Sequence, residues 1–139
     1  MVVGIGWNAG LVRARLLADQ RLGGARARAL ARLDSLDAAL HELEGGRYDA
    51  RLDPAAPFAG IQWSIAAVPL WDLRVLAGWL PPAGGELVRT LAGWWEVLNI
   101  EALLATLAGA PSLPPYDLGR LSTAWTRVRT ATTAGQVRA

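Results

Sequence analysis

The sequence predicts an all-α protein: a helical bundle of about five to six helices joined by Gly/Pro-rich loops and packed antiparallel. Three observations predict it. No alternating apolar–polar run of useful strand length occurs. Apolar residues recur instead at spacings of three and four, as in Leu33, Leu36, Leu40 and Leu43. Glycine and proline pairs punctuate the chain at short intervals, at 23–24, 45–46, 81–82 and 84–85.

Residues 9–22 read as the first helix, with Leu11, Val12, Leu16 and Leu17 on an apolar side. Gly23-Gly24 interrupts it, and the Ala- and Arg-rich run 25–33 favours helix by propensity. Asp34-Ser35 supplies N-cap residue types for LDAALHELE, which Gly45-Gly46 ends. Residues 47–53 form a polar connector. Asp53-Pro54 then has the form of an N-cap followed by proline at the first helical position. A long apolar segment follows to Leu80, and Pro69 is expected to kink or divide it. Pro81-Pro82-Ala-Gly-Gly85 is a firm break. Glu86 to about Gly109 is the strongest helix, with Leu87, Leu91, Trp94 and Leu98 expected inward. APSLPPYD is a loop, Asp117 can cap a last helix, and the tail from Thr130 is expected to fray. The whole makes one domain over 1–139. It comprises a small N-terminal helical unit at about 9–46, a long hairpin at about 54–109 and a last helix at about 118–130.

Arg74-Val-Leu-Ala-Gly-Trp79 is echoed as Arg89-Thr-Leu-Ala-Gly-Trp94, on the other side of the PPAGG turn. In a hairpin the two copies can face each other. Gly78 and Gly93 then have a reason to be kept, as points of close helix approach; chance in an Ala/Leu/Gly-rich chain is the competing reading.

Composition removes many chemistries. The 139 residues are 53% hydrophobic, ample for a core, and include no cysteine and one histidine. Disulfide scaffolds, thiol catalysis, Cys-ligated zinc, iron–sulfur clusters and multi-His metal sites are thereby excluded. Asp34, Asp37, His41 and Glu44 share a quadrant of one helix, where a solvated face explains them better than a metal. Ser35, Ser64, Ser112 and Ser122 lack a nucleophile-elbow context, and only His41 could serve them as base. Glu96 and Glu101 do not share a helix face. Gly4-x-Gly6-x-x-x-Gly10 misses the dinucleotide fingerprint by one residue and follows no strand. No catalytic residue, cofactor or metal is therefore expected, and the chain reads as a non-enzyme.

Charge is asymmetric. Residues 1–32 hold six arginines against Asp19 alone, while the remainder holds eight arginines against eleven acids. Arg26, Arg28 and Arg32 are the candidate partner-binding residues, as clustered charge in an Ala-rich helix. No aromatics interleave with these arginines and no nucleic-acid motif accompanies them, so nucleic acid is not expected. The longest uncharged run, Pro54 to Trp71, is short and broken by prolines, so no membrane span is expected. Of the seven tryptophans, Trp63, Trp71 and Trp79 drift around a helix at each step and cannot share one seam. Core is the first reading for most of them, with helix boundaries or a protein interface for the others.

Several segments together resemble the C/d family of V-type (archaeal and bacterial A/V-type) ATPase subunits. They are NAGLVRARLLADQRLGG, SLDAALHELEGGRYD, WDLRVLAGWLPP, LAGWWEVLNIEALLATLAG and LPPYDLGRLSTAW. The most specific is Trp95-Glu96-Val97-Leu98-Asn99-Ile100 leading into a Leu-rich stretch. The resemblance runs from about residue 8 to 129, in an Arg- and Trp-rich, actinobacterial-like form. Family members are longer, with three similar helical lobes forming a funnel, and this chain corresponds to the N-terminal part. The resemblance implies a non-catalytic coupling subunit, or a fragment of one, without nucleotide or other cofactor. It would lie on the cytoplasmic face, peripheral to the membrane, linking the central shaft to the ion-carrying membrane ring. The alternative is a free-standing helical interaction module, which could be an oligomer; a small helical enzyme or ligand-binding domain is a third class.

Overall fold

The computed structural model describes residues 3–138, and the fold is all-α, with no strand among the described residues. The helices are α1 (Val3–Asp19), α2 (Gly23–Leu30), α3 (Leu36–His41), α4 (Phe58–Ala77), α5 (Pro82–Leu107), α6 (Trp125–Val128) and α7 (Ala134–Arg138). Single 3-10 turns sit at Asp49–Arg51 and Gly119–Leu121.

The centre is the α4–α5 hairpin, closed by the short turn 78–81. Leu70 of α4, Val88 and Ala92 of α5, and Leu118 and Leu121 of the C-terminal segment make the core cluster. Burying each of the Leu and Val side chains contributes about 1.5–3 kcal/mol. Helix α4 passes through Pro69 as one element; the proline does not divide it. One turn before it, the Trp95 indole donates to the Ala66 carbonyl at 2.9 Å, tying α5 to α4. The start of α4 lies later than Asp53-Pro54 implied. Asp53 does cap, accepting from Ala55 N at 2.9 Å, but it caps an isolated turn. Pro57 disfavours helical geometry at the residue before it, so the helix begins at Phe58.

Helix α1 packs on this hairpin through small residues. A Cβ on Gly10 would collide with Leu80 Cδ2, and one on Gly84 would meet Leu80 Cβ at 2.9 Å and the Trp7 ring at 3.1 Å. Of the near-fingerprint glycines, Gly6 and Gly10 thus pack against the hairpin turn, while a Cβ on Gly4 would meet nothing within 4 Å. Gly93, by contrast, has nothing within 4 Å, and Gly78 merely follows the last turn of α4, so neither is a point of close helix approach.

The amphipathic reading of α5 is reversed by the structure. Leu87, Leu91 and Trp94 are 62%, 62% and 65% exposed, and Leu98 is only half-buried. The buried face carries Gly84, Val88, Ala92, Glu96 and Asn99. Small side chains at the first three positions let α5 approach its neighbours closely, and the two polar ones are bonded by the C-terminal segment. Helix α1 repeats the pattern: Leu17 is buried, whereas Leu11, Val12 and Leu16 are exposed. In the LDAALHELE region, Ser35 caps α3 by accepting from Ala38 N at 3.1 Å. Only Leu40 and Leu43 of its leucine stripe are buried; Leu33 and Leu36 remain exposed.

The continuous last helix expected over 118–130 is broken. Asp117 Oδ1 accepts from Gly119 N at 3.0 Å and starts a 3-10 turn, but Ser122 is extended and α6 begins only at Trp125. The cause is Glu96, whose carboxylate takes the amides of Thr123 and Trp125. The tail from Thr130 forms α7, which lies against α5 and is held by Thr132, Thr133 and Gln136 hydrogen bonds.

Candidate interaction surfaces

Three polar constellations and two apolar faces distinguish this bundle. The first constellation fastens α5 to the C-terminal segment. Asn99, 1% exposed, donates from Nδ2 to the Tyr116 carbonyl at 2.9 Å and accepts from Tyr116 N at 2.7 Å. Its amide thus copies one rung of backbone pairing. One turn earlier, Glu96 accepts from Thr123 N at 2.8 Å, Trp125 N at 2.7 Å, Ser122 Oγ at 3.3 Å and the Thr123 hydroxyl. Burial pushes the Glu96 pKa up, but these donors outweigh it and hold the group below its ordinary value. Trp63 of α4 stacks on Tyr116, centroids 5.1 Å apart, completing the grip on the Pro-rich loop. Burial also raises the Tyr116 pKa.

The second constellation joins the N-terminal unit to the hairpin. Asp72 of α4 is 1% exposed and pairs with Arg47 of the connector, with Arg21 at 3.7 Å. Burial lowers the Arg47 pKa. Arg47 also lies over the Trp71 ring at 5.5 Å, with Arg51 at 6.0 Å, and donates to the Gln20 side chain.

The third lines a cleft of about 710 Å³ between the end of α4, the start of α5 and the turn Gly119–Leu121. Arg74, Arg89 and Arg120 all border it.

The residues that stand out in the sequence are mostly apart from these. Arg26, Arg28 and Arg32 lie exposed in and just after α2, a helix with no buried residue. Arg26 donates to the Glu42 carbonyl at 3.4 Å; Arg28 and Arg32 make no ion pair among the described residues. His41 and Glu44 pair with each other at 3.0 Å, both exposed. Ser122 is bonded to Glu96 and Thr126, and Glu101 is exposed while Glu96 is buried. Sequence alone does not mark Asp72, Glu96 and Asn99 as buried anchors. The one signal for them is a polar residue opposite an apolar stripe, or at the end of a long uncharged run.

The apolar faces are those of α5 (Leu87, Leu91, Trp94, Val97) and α1 (Leu11, Val12, Leu16). Trp94 and Trp95 show the division: Trp95 is turned to α4 and Trp94 outward. No helix among the described residues is long and apolar enough to cross a membrane. No known family, curated protein or solved structure matches this chain.

Proposed function

We propose that this chain is a non-catalytic coupling subunit of a rotary V-type ATPase, or a lobe of one, that binds the central shaft and the ion-carrying ring. The observation that carries the proposal is the outward stripe Leu87–Leu91–Trp94–Val97 on the longest helix. A row of large apolar side chains along one helix face costs solubility unless another surface covers it. In a three-lobed coupling subunit, such cover comes from neighbouring lobes or from the subunits that it joins. The clamp supports the same reading. The Glu and Asn of the segment WEVLNI, the most specific part of the resemblance, bind another of the five resembling segments, LPPYDLGRLSTAW. On this reading the protein sits at the cytoplasmic face of the membrane through its partners.

Affinity capture from the native host tests it. The expected companions are the proteolipid ring and a shaft subunit, lost when Leu91→Glu and Trp94→Glu are combined while helical circular dichroism is kept. Arg28→Glu with Arg32→Glu is expected to weaken the same capture without unfolding the chain. Capture that brings no rotary ATPase subunit overturns the proposal. If the purified chain then self-associates with concentration, and Trp94→Glu returns it to monomer, the free-standing oligomeric module is the correct reading.

A further inference from the structure

The hairpin reverses the chain between the two copies of Arg-x-Leu-Ala-Gly-Trp, and this brings Arg74 and Arg89 to the walls of one cleft. The turn Gly119–Leu121 adds Arg120 from a third side. Three guanidiniums therefore border the cleft against one lining carboxylate, Glu86. Gly78 and Gly85 also line it, and a Cβ on Gly85 would meet nothing within 4 Å, so a ligand can approach the backbone there.

These arginines are held in place without being used up. Arg74 Nη1 meets Asp117 Oδ2 at 2.6 Å, and Arg89 Nη1 meets Glu86 Oε1 at 2.5 Å. Asp117 and Glu86 are themselves 75% and 71% exposed, so these are surface pairs that a better anion can displace or share. A guanidinium has five N–H donors, and each pair engages a single Nη1. Arg120 is exposed and makes no ion pair among the described residues. Converging arginine forks suit the tetrahedral oxygens of a phosphate. The volume lies within the range of small-molecule sites and exceeds what a bare phosphate fills. Val75, Leu80 and Leu121 supply an apolar wall for the rest of such a molecule.

From this convergence we infer that the cleft binds a phosphorylated small molecule, with the phosphate between Arg89, Arg120 and Arg74. The phosphate belongs either to a soluble ester or diphosphate or to the headgroup of an anionic lipid. The site is independent of the coupling role and uses none of the outward apolar residues.

Calorimetric titration of the full chain with inorganic pyrophosphate at low salt tests the site. Flotation with phosphatidylcholine vesicles, with and without phosphatidic acid, identifies the source of the phosphate. Arg89→Gln and Arg120→Gln are each expected to weaken binding about tenfold, the loss of one charge-assisted contact. Arg127→Gln, an exposed arginine outside the cleft, is expected to leave it unchanged. Arg74 is spared because it also holds the C-terminal segment. Circular dichroism confirms that the variants fold. Pyrophosphate binding without vesicle binding assigns a soluble ligand; recruitment by phosphatidic acid that both variants weaken assigns a headgroup. Absence of both, or binding that Arg89→Gln and Arg120→Gln leave intact, overturns the inference.

Discussion

Glu96 and the glycines carry the sharpest consequences at the scale of single residues. A carboxylate whose folded pKa lies below its unfolded value stabilises the fold above the unfolded pKa, and that stability is lost as pH falls through the folded one. Glu96→Gln removes the charge and replaces an acceptor by a donor, at a cost of about 2 kcal/mol near neutrality. In urea denaturation across pH, the gap between wild type and Glu96→Gln is expected to hold above about pH 5 and to narrow as pH falls further. The glycines of α5 are expected to respond with opposite signs. Gly93→Ala meets nothing within 4 Å and gains up to about 1 kcal/mol from helix propensity. Gly84→Ala presses on Leu80 Cβ and the Trp7 ring and loses about 1–3 kcal/mol in the same denaturation series.

At the scale of elements, chain punctuation is what the sequence makes legible. Gly23, free to adopt its positive φ, and Pro81-Pro82, with φ fixed by their rings, mark the starts of α2 and α5, and Ser35 caps α3. Facing is harder to read. Leu87, Leu91 and Trp94 have the spacing of a buried stripe, and spacing alone does not say whether a stripe meets this chain or another molecule. Gly84, Val88 and Ala92 show no such contrast in hydropathy, yet they form the true core face of α5 because small residues allow close contact. The break at Ser122 is equally hidden, since it depends on Glu96, some 26 residues away. Glu96 and the arginines of the cleft belong to constellations assembled only by tertiary structure. No local motif shows what they bind, although the segment Trp95–Ile100 contains Glu96 and the repeated Arg-x-Leu-Ala-Gly-Trp contains two of those arginines.

For the molecule as a whole, the N-terminal unit and the hairpin are joined at Asp72. The pairing with Arg47 and Arg21 is buried at the carboxylate, so removing one partner strands a charge. Arg47→Met is expected to cost about 3–5 kcal/mol, and Asp72→Asn with Arg47→Met much less than the sum of the two single changes. Thermal melts of the four species measure the coupling; strict additivity would show that Asp72 does not join the two parts. The exposed faces of α1 and α5 act at this scale too, because neither has cover within the described chain.

The clamp on Tyr116, Thr123 and Trp125 also bears on how the protein breathes. Their amide hydrogens are kept from water by two side chains of one helix turn, not by a ladder of backbone partners. Releasing Asn99 and Glu96 therefore frees them together, as one opening event. Deuterium uptake at these three amides is expected to share a single opening free energy, below that of mid-α5 amides. Glu96→Gln should speed all three, including the one that it never touches.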